Sequence, residues 1–132
     1  MKKSLIIIAV IIIIIVLGYM YFPGSPIRDD GTIDTAQISK EVSKDRAVLM
    51  DVRTSTELVT DGYAAGSTHF ELARLQNGEL PDYDKDERIY VYCKAGGRAE
   101  QAKTILEENG FTNVINIGGL SDWEASGGEV VR

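Results

Sequence analysis

Beyond about residue 32 the chain alternates between two hydrophobic patterns. Short apolar runs at 47–52, 88–92 and 113–117 are too short for helices and read as strands buried on both faces of a parallel sheet, with 68–70 as a further short strand. Between them, apolar residues recur at helical spacing. Residues 35–43 open on Asp34 as an N-cap, with Gln37 three positions on and Ala36, Ile38 and Val42 behind. Residues 54–59 read as one or two turns that end at Asp61-Gly62. A longer helix begins near Ala99, carries Ala99, Ala102, Ile105 and Leu106 on one side, and stops at Gly110. Asn77-Gly78 and Pro81-Asp82 mark a loop, 83–87 a charged approach to the next strand, and Gly118-Gly119 a tight turn. Residues 121–125 form a last short helix with Trp123 in the core. Strand–helix alternation over about a hundred residues predicts an α/β domain with a small parallel sheet flanked by helices on both faces.

The N-terminus breaks this pattern. Residues 5–22 form an almost unbroken Ile/Val/Leu run without a charge, roughly 27 Å of helix at about 1.5 Å per residue. That length predicts an uncleaved transmembrane signal-anchor over 1–22, a Pro/Gly linker over 23–31 and the folded domain over 32–132. A cleaved secretory signal is the competing reading, but the run closes on Tyr19-Met20-Tyr21-Phe22 rather than on small residues. Lys2 and Lys3 before the run and Arg28-Asp29-Asp30 after it predict a single-pass protein with a cytoplasmic N-terminus and an extracytoplasmic domain.

Charge narrows the partners. The net charge is −6, and −8 once Lys2 and Lys3 are set aside, with no basic cluster for a phosphate backbone, so nucleic acid is not expected. One cysteine and one histidine provide neither an internal disulfide nor a Cys/His metal set, and no cofactor is expected. A monomer is expected.

The chemistry concentrates at Cys93-Lys94-Ala95-Gly96-Gly97-Arg98, where the 88–92 strand turns into the following helix. A helix N-terminus presents unpaired N–H groups and the positive end of its dipole, and two glycines let the loop aim further N–H groups inward. Lys94, Ala95, Gly96 and Gly97 thus form a cradle for a small anion or a thiolate, and with Lys94 and Arg98 close by the Cys93 thiol is expected to ionise readily and act as a nucleophile. The alternative is that Cys93 is a small buried apolar residue ending a core strand. Asp51 and Arg53 fall at the carboxyl end of the 47–52 strand, the edge where open α/β sheets bind ligands, and are read as a local ion pair supporting the loop. His69, the only histidine, has no positioned partner in the sequence and is left out of the catalytic set.

Five blocks in order resemble a single rhodanese domain: Met50-Asp51-Val52-Arg53, Gly62-Tyr63-Ala64-Ala65-Gly66-Ser67, Val91-Tyr92-Cys93-Lys94-Ala95-Gly96-Gly97-Arg98, Gly110-Phe111-Thr112-Asn113-Val114 and Gly118-Gly119-Leu120-Ser121-Asp122-Trp123. The resemblance implies a sulfurtransferase in which Cys93 takes a sulfane sulfur from a small anionic donor such as thiosulfate, carries it as a persulfide and passes it to a thiol or cyanide. It also implies that Arg98 and the loop amides stabilise the persulfide, and that Lys94 attracts the donor. The chain departs from the family's usual pattern at Tyr63, where histidine is common, and at Ala99, where serine is common. Two alternatives are a non-catalytic binding module on the same fold and a cysteine phosphatase. Phosphatase loops place five residues between cysteine and arginine, against four here. A disulfide oxidoreductase lacks its resolving cysteine.

Overall fold

Strands β1 (Val48–Asp51), β3 (Thr68–His69), β4 (Ile89–Cys93) and β5 (Val114–Gly119) form one parallel sheet in the order β3-β1-β4-β5. The computed structural model that shows this describes residues 1–21 and 24–132. Alternate side chains of the two inner strands serve opposite faces. Met50, Val52, Ile89, Val91 and Cys93 join Leu72, Leu75, Ala102 and Leu106 in one core, beneath α4 (Leu72–Gln76) and α5 (Gly97–Glu108). Leu49, Tyr90 and Tyr92 join Ile38, Leu120 and Trp123 in the other, beneath α2 (Thr35–Val42) and α6 (Leu120–Ala125). Burial on both faces is why β1 and β4 read as continuous apolar runs.

Local signals hold where they are strong. Asp34 accepts the Gln37 N–H at 3.0 Å and caps α2, and α3 (Ser55–Asp61) opens on a capping box between Thr54 and Glu57. Three elements have weak local signals and were not expected. α4 has only five residues and no side-chain cap, and β2 (Tyr63–Ala64) exists by antiparallel pairing with β6 (Val130–Val131). Gly118-Gly119 is not a turn; both residues finish β5, and α6 starts directly after them. Ahead of the domain, Ile27 bridges Ile33, and the Asp34 N–H donates to the Pro26 carbonyl at 2.7 Å.

The membrane expectation is corrected. Among the described residues no helix is long and apolar enough to cross a membrane, so the single-pass placement, with cytoplasmic N-terminus and extracytoplasmic domain, does not stand. The apolar run does form a helix, α1 (Lys2–Tyr21). The expected end of the run at Phe22 and start of the linker at Pro23 lie outside the described residues.

Candidate active site

β4 delivers Cys93 to the carboxyl edge of the sheet, between β1 and β5. The loop that follows is shorter than the sequence pattern suggested, because α5 starts at Gly97 rather than near Ala99. Gly96 is its N-cap, with φ 93° and ψ −23°, a left-handed conformation that only glycine adopts without strain. That backbone turn points the Gly96 N–H at Cys93 Sγ, 3.0 Å away.

Cys93 is both buried and turned toward the loop amides. The residue is only 2% exposed and belongs to the core under α5, yet its sulfur faces the ring of loop amides. Burial is the largest single influence on the thiol and pushes its pKa up. The N–H groups of Ala99, Ala95, Gly96 and Arg98 act against it, and together they leave the pKa below the ordinary value. Ala99, where the family often has serine, contributes through its backbone and needs no hydroxyl to do so. Lys94, Ala95 and Gly97 are exposed at the rim and Gly96 is half-buried.

β5 holds the loop in this shape. Its register shifts against β4 between Val91 and Cys93, so that Cys93 pairs with Gly119. The Lys94 carbonyl oxygen lies where a side chain on Gly119 would go, 2.1 Å from an added Cβ, so a glycine is required there. Asn116 Nδ2 donates to the Gly96 carbonyl at 3.1 Å and to Glu100 Oε2 at 2.9 Å, while its Oδ1 accepts from the Gly118 N–H at 2.9 Å. Asn116 has no signature in the sequence, since nothing local marks a strand asparagine as a clamp on a loop twenty residues earlier.

Arg98 is engaged differently from what its place in the loop suggested. Its Nη1 and Nη2 donate to Glu57 Oε2 and Oε1 at 2.7 and 2.6 Å, a bidentate pair between α5 and α3 with side chains 32% and 21% exposed. Hydrogen bonding to Arg98 is the main reason the Glu57 carboxyl is held down at about 2 from its ordinary 4.5, and the same bond raises the pKa of Arg98. The sequence marks Glu57 only in part. The Thr54-x-x-Glu57 pattern marks a helix start, but not an arginine partner on another element.

Asp51 and Arg53 do form a local pair, with side chains 0% and 1% exposed. Arg53 Nη2 donates to Asp51 Oδ2 and to the Gly62 carbonyl, both at 2.7 Å, and its guanidinium lies 5.7 Å from the centre of the Tyr92 ring. His69 Nε2 lies 2.7 Å from the Arg53 carbonyl oxygen, which makes it a packing partner of this edge. A cavity of about 540 Å³ lies on the far side of β5, lined by Ile33, Asn116, Asp122 and others but by no residue of 93–98. Among the described residues no His/Cys/Asp/Glu group is arranged to hold a metal ion.

A buried thiol faced by loop amides at the carboxyl end of a parallel strand has the parts that covalent cysteine chemistry requires. The family described as Rhodanese-like domain matches residues 34–126, and the chain belongs to it. A thiosulfate sulfurtransferase GlpE from Actinobacillus succinogenes is 32% identical over 88 residues, 65% of this chain and 77% of its own length. Thiosulfate sulfurtransferase PspE from Escherichia coli is 54% identical over 39 residues, 30% of this chain and 38% of its own length. The solved rhodanese-like domain of the Alr3790 protein from Anabaena is 28% identical with a TM-score of 0.59, covering 70% of this chain and 93% of that one. The chain is a sulfurtransferase enzyme.

Proposed function

We propose that Cys93 is the sulfur-carrying nucleophile of this sulfurtransferase and that residues 32–132 are its catalytic unit. With thiosulfate, the Cys93 thiolate attacks the outer sulfur; an Sγ–S bond forms, the S–S bond to the sulfonate breaks, and sulfite leaves with the electron pair. A thiolate or cyanide then attacks the outer sulfur of the persulfide, leaves as a new persulfide or as thiocyanate, and restores the Cys93 thiolate. No external oxidant or reductant is needed, since the sulfane sulfur is handed on at constant oxidation level. Thiosulfate as donor is the reading favoured by the names of the GlpE and PspE relatives.

The observation that carries this reading is the Gly96 N–H at 3.0 Å from Sγ, backed by the other amides that lower the thiol pKa. The same donors are placed to hold the anionic persulfide, whose charge sits one atom further out, toward the exposed rim at Lys94 and Gly97. Asp51 and Arg53 support the sheet edge from which the loop springs. The test is to incubate the protein with thiosulfate and weigh it. The expected result is a gain of one sulfur atom, removed by cyanide and missing in Cys93→Ser. A wild-type protein that gains no sulfur from thiosulfate or from any small persulfide would favour a non-catalytic binding module.

A further inference from the structure

Arg98 ends the loop, and as a free cation 32% exposed it would be the natural receptor for an incoming anion. It is not free. Both terminal nitrogens are committed to one carboxylate in the bidentate geometry that matches a guanidinium best. Glu57 is itself fixed, because its Oε2 also accepts the Thr54 N–H and hydroxyl, both at 3.0 Å, at the start of α3. The carboxylate therefore does not swing aside without loosening a helix cap. Of the loop's two cations, only Lys94, exposed and in no ion pair among the described residues, is left with an uncompensated charge to offer.

We infer that Glu57 is a specificity-determining residue that neutralises Arg98 and tunes the site toward sulfur donors of low charge, such as the persulfide of a small thiol, and away from dianions such as thiosulfate. The inference rests on the sulfur-transfer reading and moves its preferred donor from thiosulfate, which the relatives' names favour, to the persulfide of a small thiol. With a small persulfide, the Cys93 thiolate attacks the outer sulfur of R–S–S–H, the new Sγ–S bond forms, and R–S⁻ leaves. That leaving group is a monoanion, so the rim need not hold two negative charges. A dianionic donor meets a neutral ion pair in place of a cation, and to use Arg98 it must displace a carboxylate already bound in the best available geometry.

Glu57→Gln separates the charge from the cap, because glutamine at this position keeps the capping box. The first reading uses no sulfur donor: the rates at which iodoacetate and iodoacetamide alkylate Cys93, measured in wild type and Glu57→Gln. The expected result is a rise of about fivefold or more in the iodoacetate-to-iodoacetamide ratio, diminishing with salt, since one charge is uncovered beside the thiol. The second reading is the kcat/KM for thiosulfate relative to that for a small-thiol persulfide, which should rise by a similar factor, mainly through KM for thiosulfate. Unchanged ratios in both readings, or a fall, would overturn the assignment of Glu57. If the alkylation ratio rises but neither protein accepts sulfur from either donor, the sulfur-transfer reading fails while the charge assignment stands.

Discussion

Two arginine–carboxylate pairs lie at the sheet edge that carries the Cys93 loop, and burial separates them. Asp51–Arg53 is closed off from solvent, with side chains 0% and 1% exposed, and Arg53 Nη2 also donates to the Gly62 carbonyl. Glu57–Arg98 is as well formed geometrically, at 2.6 and 2.7 Å, but water reaches both partners. A buried charge cannot lose its partner without a large desolvation penalty, whereas a half-exposed one can trade its partner for water or a ligand. The first pair is therefore locked into the fold, whereas the second lies at the surface beside the loop, where its charge balance can be altered without unfolding the protein.

The largest effect that would break this comparison lies in the closed pair. Arg53→Ala leaves Asp51 charged and alone in the interior, and the expected loss is about 3–5 kcal/mol of unfolding free energy, read as a lower urea midpoint. Glu57→Gln should cost less than about 1 kcal/mol by the same measurement. An equal or reversed order would mean that burial does not separate the two pairs.

Gly119→Ala comes next. Its new methyl group would collide with the Lys94 carbonyl and push the loop off the thiol. The expected outcome is a loss of sulfur loading of about tenfold or more, with a higher Cys93 pKa, because several amides move together. Asn116→Ala removes one clamp on Gly96 and is expected to be milder. A hydrogen bond of about 1 kcal/mol is lost, and alkylation of Cys93 near neutral pH should slow by a few-fold while the rate at high pH is unchanged. A merely structural role for Asn116 would lower stability and leave that pH profile where it was.

The smallest effect is on acid stability. The Glu57 carboxyl is lowered from 4.5 in the unfolded chain to about 2 in the fold, so its contribution is fully present above pH 4.5 and is lost as the pH falls toward 2. Wild type should therefore lose more stability than Glu57→Gln over that window. The alkylation ratio that reports on Arg98 should stay flat between pH 5 and pH 7, because Glu57 remains ionised throughout.

The sequence carried the parts of this molecule that are written locally. β1, β4 and β5 appear as apolar runs, α2 announces itself through Asp34, and the cysteine, two glycines and arginine of the loop lie within six consecutive residues. What it did not carry depends on contacts between distant segments. β2 and β6 are two residues each and exist only because Tyr63 meets Val131. The Glu57–Arg98 pair joins positions 41 residues apart. Gly118-Gly119 has the composition of a turn, but the glycine at 119 is there to let the Lys94 carbonyl approach. The N-terminal run was legible as a helix. Its membrane placement was not, since a count of apolar residues does not establish a span.

Sulfur transfer through this loop requires that Cys93 form a thiolate readily although the residue is buried. The most direct measurement is the pH dependence of Cys93 alkylation by iodoacetamide in the folded protein, with Cys93→Ser as the blank. The expected profile rises with a midpoint clearly below that of free cysteine, about 8.5, and the rate plateaus above it. A midpoint at or above the free value, or a thiol that does not react until the protein unfolds, would contradict the claim that the loop amides outweigh burial.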